Sequence, residues 1–157
     1  NSEQPNKEFR SIQAEDPSGS YQPGVLKAVS TKNGKVILTK EIRTSGAPAT
    51  IQLIADRTNI KANGADMSFI TARLLDKHGN LVPNADQLIQ FSVTGAGFLA
   101  GTDNGFQADS LSLKSPQRKT WKGMALAIVQ SQRKKGNITV TAKSAGLPIS
   151  VISVESE

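Results

Sequence analysis

The chain has no cysteine, a single histidine and few aromatics, 4% of its 157 residues. Without cysteine it forms no disulfide, offers no thiolate nucleophile and builds no thiolate metal site. The lone imidazole, His78, excludes multi-histidine zinc and non-haem iron constellations and leaves one candidate for a histidine-based triad. No apolar run nears the roughly 20 residues that cross a bilayer as a helix, so no membrane span is expected. Acid is missing from one long stretch. Residues 110–154 hold Lys114, Arg118, Lys119, Lys122, Arg133, Lys134, Lys135 and Lys143 but neither Asp nor Glu, and the formal net charge of +6 arises there.

Such a basic stretch suits an acidic neighbouring domain, an acidic polysaccharide or phosphate. Nucleic-acid binders interleave their bases with stacking aromatics, and here only Trp121 falls inside the stretch, so nucleic acid is not expected as a partner. Gly95-Ala96-Gly97 lacks the lysine and hydroxyl that complete a phosphate loop, since Phe98-Leu99 follow. Asp103-Asn104-Gly105 offers oxygen ligands, but without the spaced acids of a calcium loop it reads as a tight turn. No cofactor and no metal are expected. His78, within Asp76-Lys77-His78-Gly79-Asn80, reads as a turn residue with no nucleophile pattern to serve.

What the chain does have is 37% hydrophobic residues, enough for a packed core. It begins at Asn1 rather than methionine, which reads as a segment of a longer protein. Residues 1–20 are polar and loop-like. After the Tyr21-Gln22-Pro23-Gly24 turn, two β-rich runs flank Asn33-Gly34, the pairing that a type I′ hairpin turn favours. A lone hairpin is marginal in water, so this one should close a sheet whose other strands lie upstream. Thr44-Ser45-Gly46-Ala47-Pro48 is the best boundary.

Beyond it the hydrophobic period is two. Ile51, Leu53 and Ala55 alternate with polar residues. So do Ile70, Ala72 and Leu74, then Ile89, Phe91 and Val93, then Ile138, Val140 and Ala142. Met124, Leu126 and Ile128 share a side, and Met67 and Met124 read as core fillers. Ile149 and Val151 take one parity and Ile152 and Val154 the other, which predicts a bulge or sheet switch. Turn clusters between the runs complete the pattern of an all-β sandwich of about seven strands.

Several phrases, in this order, resemble the C-terminal part of bacterial β-galactosidase-like enzymes of glycoside hydrolase family 2. They are Pro23-Gly24-Val25-Leu26-Lys27-Ala28-Val29, Asn33-Gly34-Lys35, Arg43-Thr44-Ser45-Gly46-Ala47-Pro48-Ala49 and Ala62-Asn63-Gly64-Ala65-Asp66. Asp76 to Pro83 and Gly101-Thr102-Asp103-Asn104-Gly105 follow. The second half is also similar to bacterial immunoglobulin-like repeats of the invasin and intimin kind. The resemblance implies residues 1–45 as the closing hairpin of one immunoglobulin-like domain and residues 46–157 as a complete second one. It implies a parent that hydrolyses β-glycosides with retention, through two carboxyl groups on a barrel of some 200–250 residues. No such barrel fits in this chain, so no catalytic residue is expected here. The partners implied are other domains of the same parent chain and, with Trp121 exposed, a polysaccharide. The location implied is periplasmic or extracellular. Trp121 with Arg118, Lys119 and Lys122 is the candidate interface or glycan contact. An adhesin or stalk module and an autonomous carbohydrate-binding module are the competing readings.

Overall fold

The computed structural model describes residues 9–10, 24–32 and 35–157. The chain divides into two compact units, Asn1–Thr44 and Ser45–Glu157. Among the described residues every regular element is a strand.

In the first unit, β1 (Phe9–Arg10), β2 (Val25–Lys32) and β3 (Lys35–Arg43) form one sheet in that order. β2 and β3 pair antiparallel from Val25↔Arg43 to Lys32↔Lys35, with a bulge between Ser30 and Thr31. That register leaves two residues, Asn33 and Gly34, between the strands; their turn and Tyr21-Gln22-Pro23 lie outside the described residues. The stretch expected to be loop-like contains β1, which pairs with Lys27 and Ala28 on the other edge of β2. An open edge of backbone donors and acceptors recruits a strand even where side-chain pattern gives no signal.

The second unit is a sandwich. β4 (Thr50–Ala55), β6 (Met67–Leu75), β8 (Gly97–Asp103) and β10 (Met124–Ser131) make a sheet of order β4-β6-β10-β8. β5 (Asn59–Ile60), β7 (Leu88–Gly95), β9 (Gln117–Lys119), β11 (Gly136–Lys143) and β12 (Ser150–Ser156) make the other, of order β5-β12-β11-β7-β9. Ile51, Ile70, Ala72 and Leu74 from the first sheet meet Ile89, Phe91, Ile138, Val140 and Val154 from the second, all buried. Removing these apolar side chains from water is what holds the sheets together, at about 25 cal/mol per Å² buried.

Two details of side-chain direction differ from expectation. The pattern of β12 is continuous: its register with β11 runs unbroken from Ala142↔Ser150 to Gly136↔Ser156. No bulge occurs there; Ile152 and Val154 turn inward, while Ile149 and Val151 stand exposed. A β-branched residue tolerates the outward side of a strand, so exposure of valine costs less than breaking the ladder. The bulge sits between β10 and β8 instead, at Ile128/Val129. In β10 the side shared by Met124, Leu126 and Ile128 is the outer one, so Met124 is not a core filler; Ala125, Ala127 and Val129 face the core. Small residues on this central strand leave room for Phe91 and its neighbours across the sandwich.

This orientation predicts opposite tolerances at adjacent positions. Ala127→Leu overpacks the interior and should cost about 1–3 kcal/mol. Ile128→Thr should cost under about 1 kcal/mol, because that side chain faces outward. Urea unfolding of the two variants checks the order; equal costs would contradict it.

Candidate functional site

The candidate residues lie on and after β9. Strand alternation turns Gln117 and Lys119 outward and Arg118 and Thr120 inward. Arg118 is therefore no surface cation: its side chain is 1% exposed. A buried guanidinium presents five N–H donors in a fixed fork and no acceptor, so each must find oxygen. Nε–H donates to Thr102 Oγ1 at 3.2 Å. Nη1 donates to Asp109 Oδ2 at 2.8 Å and to the Leu111 carbonyl at 3.0 Å. Nη2 donates to the Thr102 carbonyl at 3.0 Å and the Ser112 carbonyl at 2.7 Å. These acceptors come mostly from residues 104–116, a segment without strands between β8 and β9. The cation thus organises the loop from within. The Arg118 hydrogen bond is the foremost cause that holds the Asp109 carboxyl below its ordinary pKa, helped by the Leu111 N–H.

From Asp109 the contacts lead to the surface. Asn104 Nδ2 donates to Asp109 Oδ2 at 2.9 Å and to the Lys119 carbonyl at 3.0 Å, and Asn104 Oδ1 accepts the Phe106 N–H at 2.9 Å. Phe106 stacks on Trp121 with ring centroids 4.5 Å apart and planes inclined 28°. Both rings remain 41% exposed. Trp121 stands beside a two-residue hairpin turn, since Trp121 N–H donates to Met124 O and Met124 N–H to Trp121 O. Its central residues, Lys122 and Gly123, take φ of 52° and 74°, the positive pair a type I′ turn requires. A side chain at Gly123 would run into the Val82 carbonyl. Lys122 Nζ lies 6.0 Å from the Trp121 ring centroid, the outer limit of a cation–π contact. Lys119 Nζ reaches Asp86 at 3.4 Å, but both side chains are largely exposed, where a pair contributes little.

The structure gathers Trp121 and Lys122 at one corner with Phe106, leaves Lys119 exposed on β9 and withdraws Arg118 into the interior. Arg133, Lys134 and Lys135 follow the far end of β10, roughly 20 Å of strand from Met124. The bases of residues 110–154 therefore do not form one patch. Sequence reasoning gave Phe106 only a place near Trp121 or in the core and passed over Asp109; the one available signal for Asp109 was its place as the last acid before the acid-free stretch.

Other charged loops are locked in the same manner. Asp76 is buried and accepts N–H groups of Gly46, His78 and Asn80 at 2.9 Å each, together with the Asn80 amide. These bonds, led by that from Gly46, draw its carboxyl far below the ordinary carboxylate range. His78 itself points out from the turn and is exposed. Asp66 accepts from Lys61 N–H at 2.8 Å and Met67 N–H at 3.0 Å, with Arg57 Nη2 at 3.3 Å, and its pKa is lowered mainly by the first of these. Asp103 Oδ1 accepts from its own loop, at Asn104 and Gly105. Among the described residues no three His, Asp or Glu side chains gather as a metal would need.

Two antiparallel sheets in Greek-key order, with loops stitched by buried polar groups, define an immunoglobulin-like β-sandwich. The intimin D00-D0 domain shares this fold, with a TM-score of 0.53 at 18% identity over 89% of this chain and 67% of that one. The chain belongs to the family described as Glycoside hydrolase family 2 C-terminal domain 5, which matches residues 51–153. It is 41% identical over 137 residues to the β-galactosidase BoGH2A of Bacteroides ovatus, covering 87% of this chain and 16% of that protein. It also superposes on a solved glycosyl hydrolase family 2 member from Bacteroides cellulosilyticus with a TM-score of 0.83 and 37% identity, covering 87% of this chain and 18% of that one. The chain thus spans about a sixth of the length of these relatives.

Two outcomes are expected from these loop locks. Arg118→Ala should lower the unfolding free energy by on the order of 3 kcal/mol, and Arg118→Lys should restore only part, since an ammonium cannot fill the fork. Trp121 is the sole tryptophan, so its fluorescence should shift red in both variants; unchanged emission and urea midpoint would refute the role. Asp76 has a folded pKa below its unfolded value of about 3.9, so its contribution is full above that pH and fades as pH falls through the folded value. Urea midpoints should therefore fall more steeply below about pH 4 in the native chain than in Asp76→Asn. Parallel pH profiles would reject this.

Proposed function

We propose that the chain is a non-catalytic accessory part of a secreted bacterial β-galactosidase-like glycoside hydrolase, whose retaining active site stands on a barrel elsewhere in the parent. Residues 46–157 act as a complete immunoglobulin-like domain, and residues 1–45 as the closing strands of another. The parent acts in the periplasm or outside the cell, and the segment organises its other domains. The observation that carries this reading is the direction in which carboxyls titrate. A glycosidase acid holds its proton near neutral pH through a raised pKa. Asp66, Asp76 and Asp109 are all driven the other way by hydrogen bonds from their own loops. They are loop fasteners, poor proton donors and already occupied.

A second reading is favoured by the half-exposed Phe106–Trp121 stack, flanked by Lys122. Aromatic surface with basic neighbours suits a sugar ring bearing an acidic group, as in a carbohydrate-binding module. One set of measurements separates the readings. The purified 157-residue chain should release no aryl product from an aryl β-galactoside above buffer. The parent lacking residues 46–157 should keep its kcat while losing thermal stability or oligomeric integrity. Turnover by the isolated chain would overturn the accessory role, as would a truncated parent unchanged in every respect. Retardation in polysaccharide gels, abolished by Trp121→Ala, would establish the second reading.

A further inference from the structure

The two outer faces of the sandwich differ in kind. On the five-stranded sheet the outward positions are mostly Gln90, Ser92, Thr94, Thr139, Thr141 and Ser153, the composition of a solvated surface, with Leu88 and Val151 as scattered apolar members. On the four-stranded sheet they are Ile54 at 41% exposure, Phe69 at 39%, Phe98 at 43% and Met124 at 37%, around half-buried Leu126 and Ile128. Register places them together. Phe69 lies opposite Ile128, Thr71 lies between Ile54 and Leu126, and Phe98 is opposite Gln130 in the next pairing beyond the bulge. The sequence of β10 carries the same mark. Met124 to Val129 is an unbroken apolar run, the pattern of a strand covered on both faces, whereas β11 alternates Ile138-Thr139-Val140-Thr141.

We infer that the outer face of the β4-β6-β10-β8 sheet is a docking surface for an apolar surface on another domain of the parent chain, one that carries a carboxylate opposite Arg73. This rests on the reading of the chain as part of a larger glycoside hydrolase. Size selects the occupant. Four strands about 4.8 Å apart and roughly 20 Å long give a footprint of about 300–400 Å². Counted on both partners, that falls within the range for domains of one chain, whose interfaces start near 600 Å², and short of the roughly 1,200–2,000 Å² of stable free association. A covalent tether supplies the missing affinity as effective concentration, in the mM range for a short linker. More than four fifths of the relatives' length lies outside the matched segment, so such a domain is at hand in chains of this family. The second unit is also braced at its N-terminal end, next to this sheet: Gly46 N–H is held by Asp76 and Ala49 N–H by the Leu75 carbonyl, just before edge strand β4. Arg73, paired with Met124, puts a cation among the apolar side chains, and a buried cation needs an acceptor from whatever covers it.

The absence of cysteine makes the test direct. Phe69→Cys and Phe98→Cys report on this face, and Ser92→Cys and Thr139→Cys on the opposite one. Maleimide labelling, read site by site by peptide mass spectrometry, is compared between the full-length parent and the 157-residue chain. Positions 69 and 98 should react at least about tenfold more slowly in the parent, with 92 and 139 unchanged. Hydroxyl-radical footprinting of the unsubstituted Phe69, Phe98 and Met124 should show the same contrast without any variant. Equal rates in parent and segment would overturn the proposal. So would protection already present in the segment and relieved by dilution, which assigns the face to a second copy. A parent without glycosidase activity sinks the functional reading and leaves the labelling result interpretable; equal labelling in an active parent sinks only this one.

Discussion

A guanidinium with five donors and no acceptor, placed inside a sandwich edge, dictates much of what surrounds it. Arg118 cannot be deprotonated, and removing its charge from water unpaired would cost several kcal/mol. Its position is tolerable only if carbonyls and a carboxylate converge on it, and the segment 104–116 supplies three of these acceptors while Thr102 supplies the other two. Loop and cation are therefore one object. Through Asp109 and Asn104 the constraint passes to the Phe106 backbone, and by ring stacking to Trp121. The exposed aromatic corner is rigid because a buried arginine holds the loop beneath it.

The same physics governs the other polar loops with the signs exchanged. Asp76 gathers backbone N–H groups around a buried carboxylate just where the chain leads into β4, and Asp66 does so between β5 and β6. These residues belong to the very phrases by which the chain resembles its family. Their physical content is that an irregular connection must satisfy its backbone polar groups when it folds against a sandwich, and a short acidic side chain does so most compactly. Catalysis asks something different of a carboxyl: a labile proton and a vacant oxygen. A family signature made of such residues therefore marks how loops are built and is silent about reaction chemistry.

The inward strand sets were legible because period-two alternation is itself a statement about side-chain direction. Ile70, Ala72 and Leu74 are buried, as are Ile89 and Phe91, and Ile138, Val140 and Ala142. Arg118 was not legible. In sequence it sits among Lys119 and Lys122, and an isolated cation belongs in water; only strand alternation together with distant carbonyls brings it inside. Phe106 and Trp121 were adjacent only in space, joined by a loop whose course depends on the Arg118 bonds. Residues 1–20 gave no strand signal at Phe9–Arg10, because pairing with an open edge is a backbone matter.

β10 misled for a more instructive reason. Given Met124-Ala125-Leu126-Ala127-Ile128-Val129, the larger side chains invite the core assignment, yet the alanines and Val129 occupy it. The rule that large apolar residues point inward presumes a strand with one dry side. A strand whose two faces are both dry follows a different rule: each side is sized by what packs against it. Across the core, Phe91 and Ile138 fill the space that Ala125 and Ala127 leave. On the outer side nothing among the described residues of this sandwich matches Ile54, Phe69, Ile128 and Phe98, although they are spaced on one sheet as a core would be. Strand parity alone therefore cannot tell inside from outside here. The asymmetry between a polar face and an apolar one on the same domain can, because water imposes the first and only a packed neighbour sustains the second.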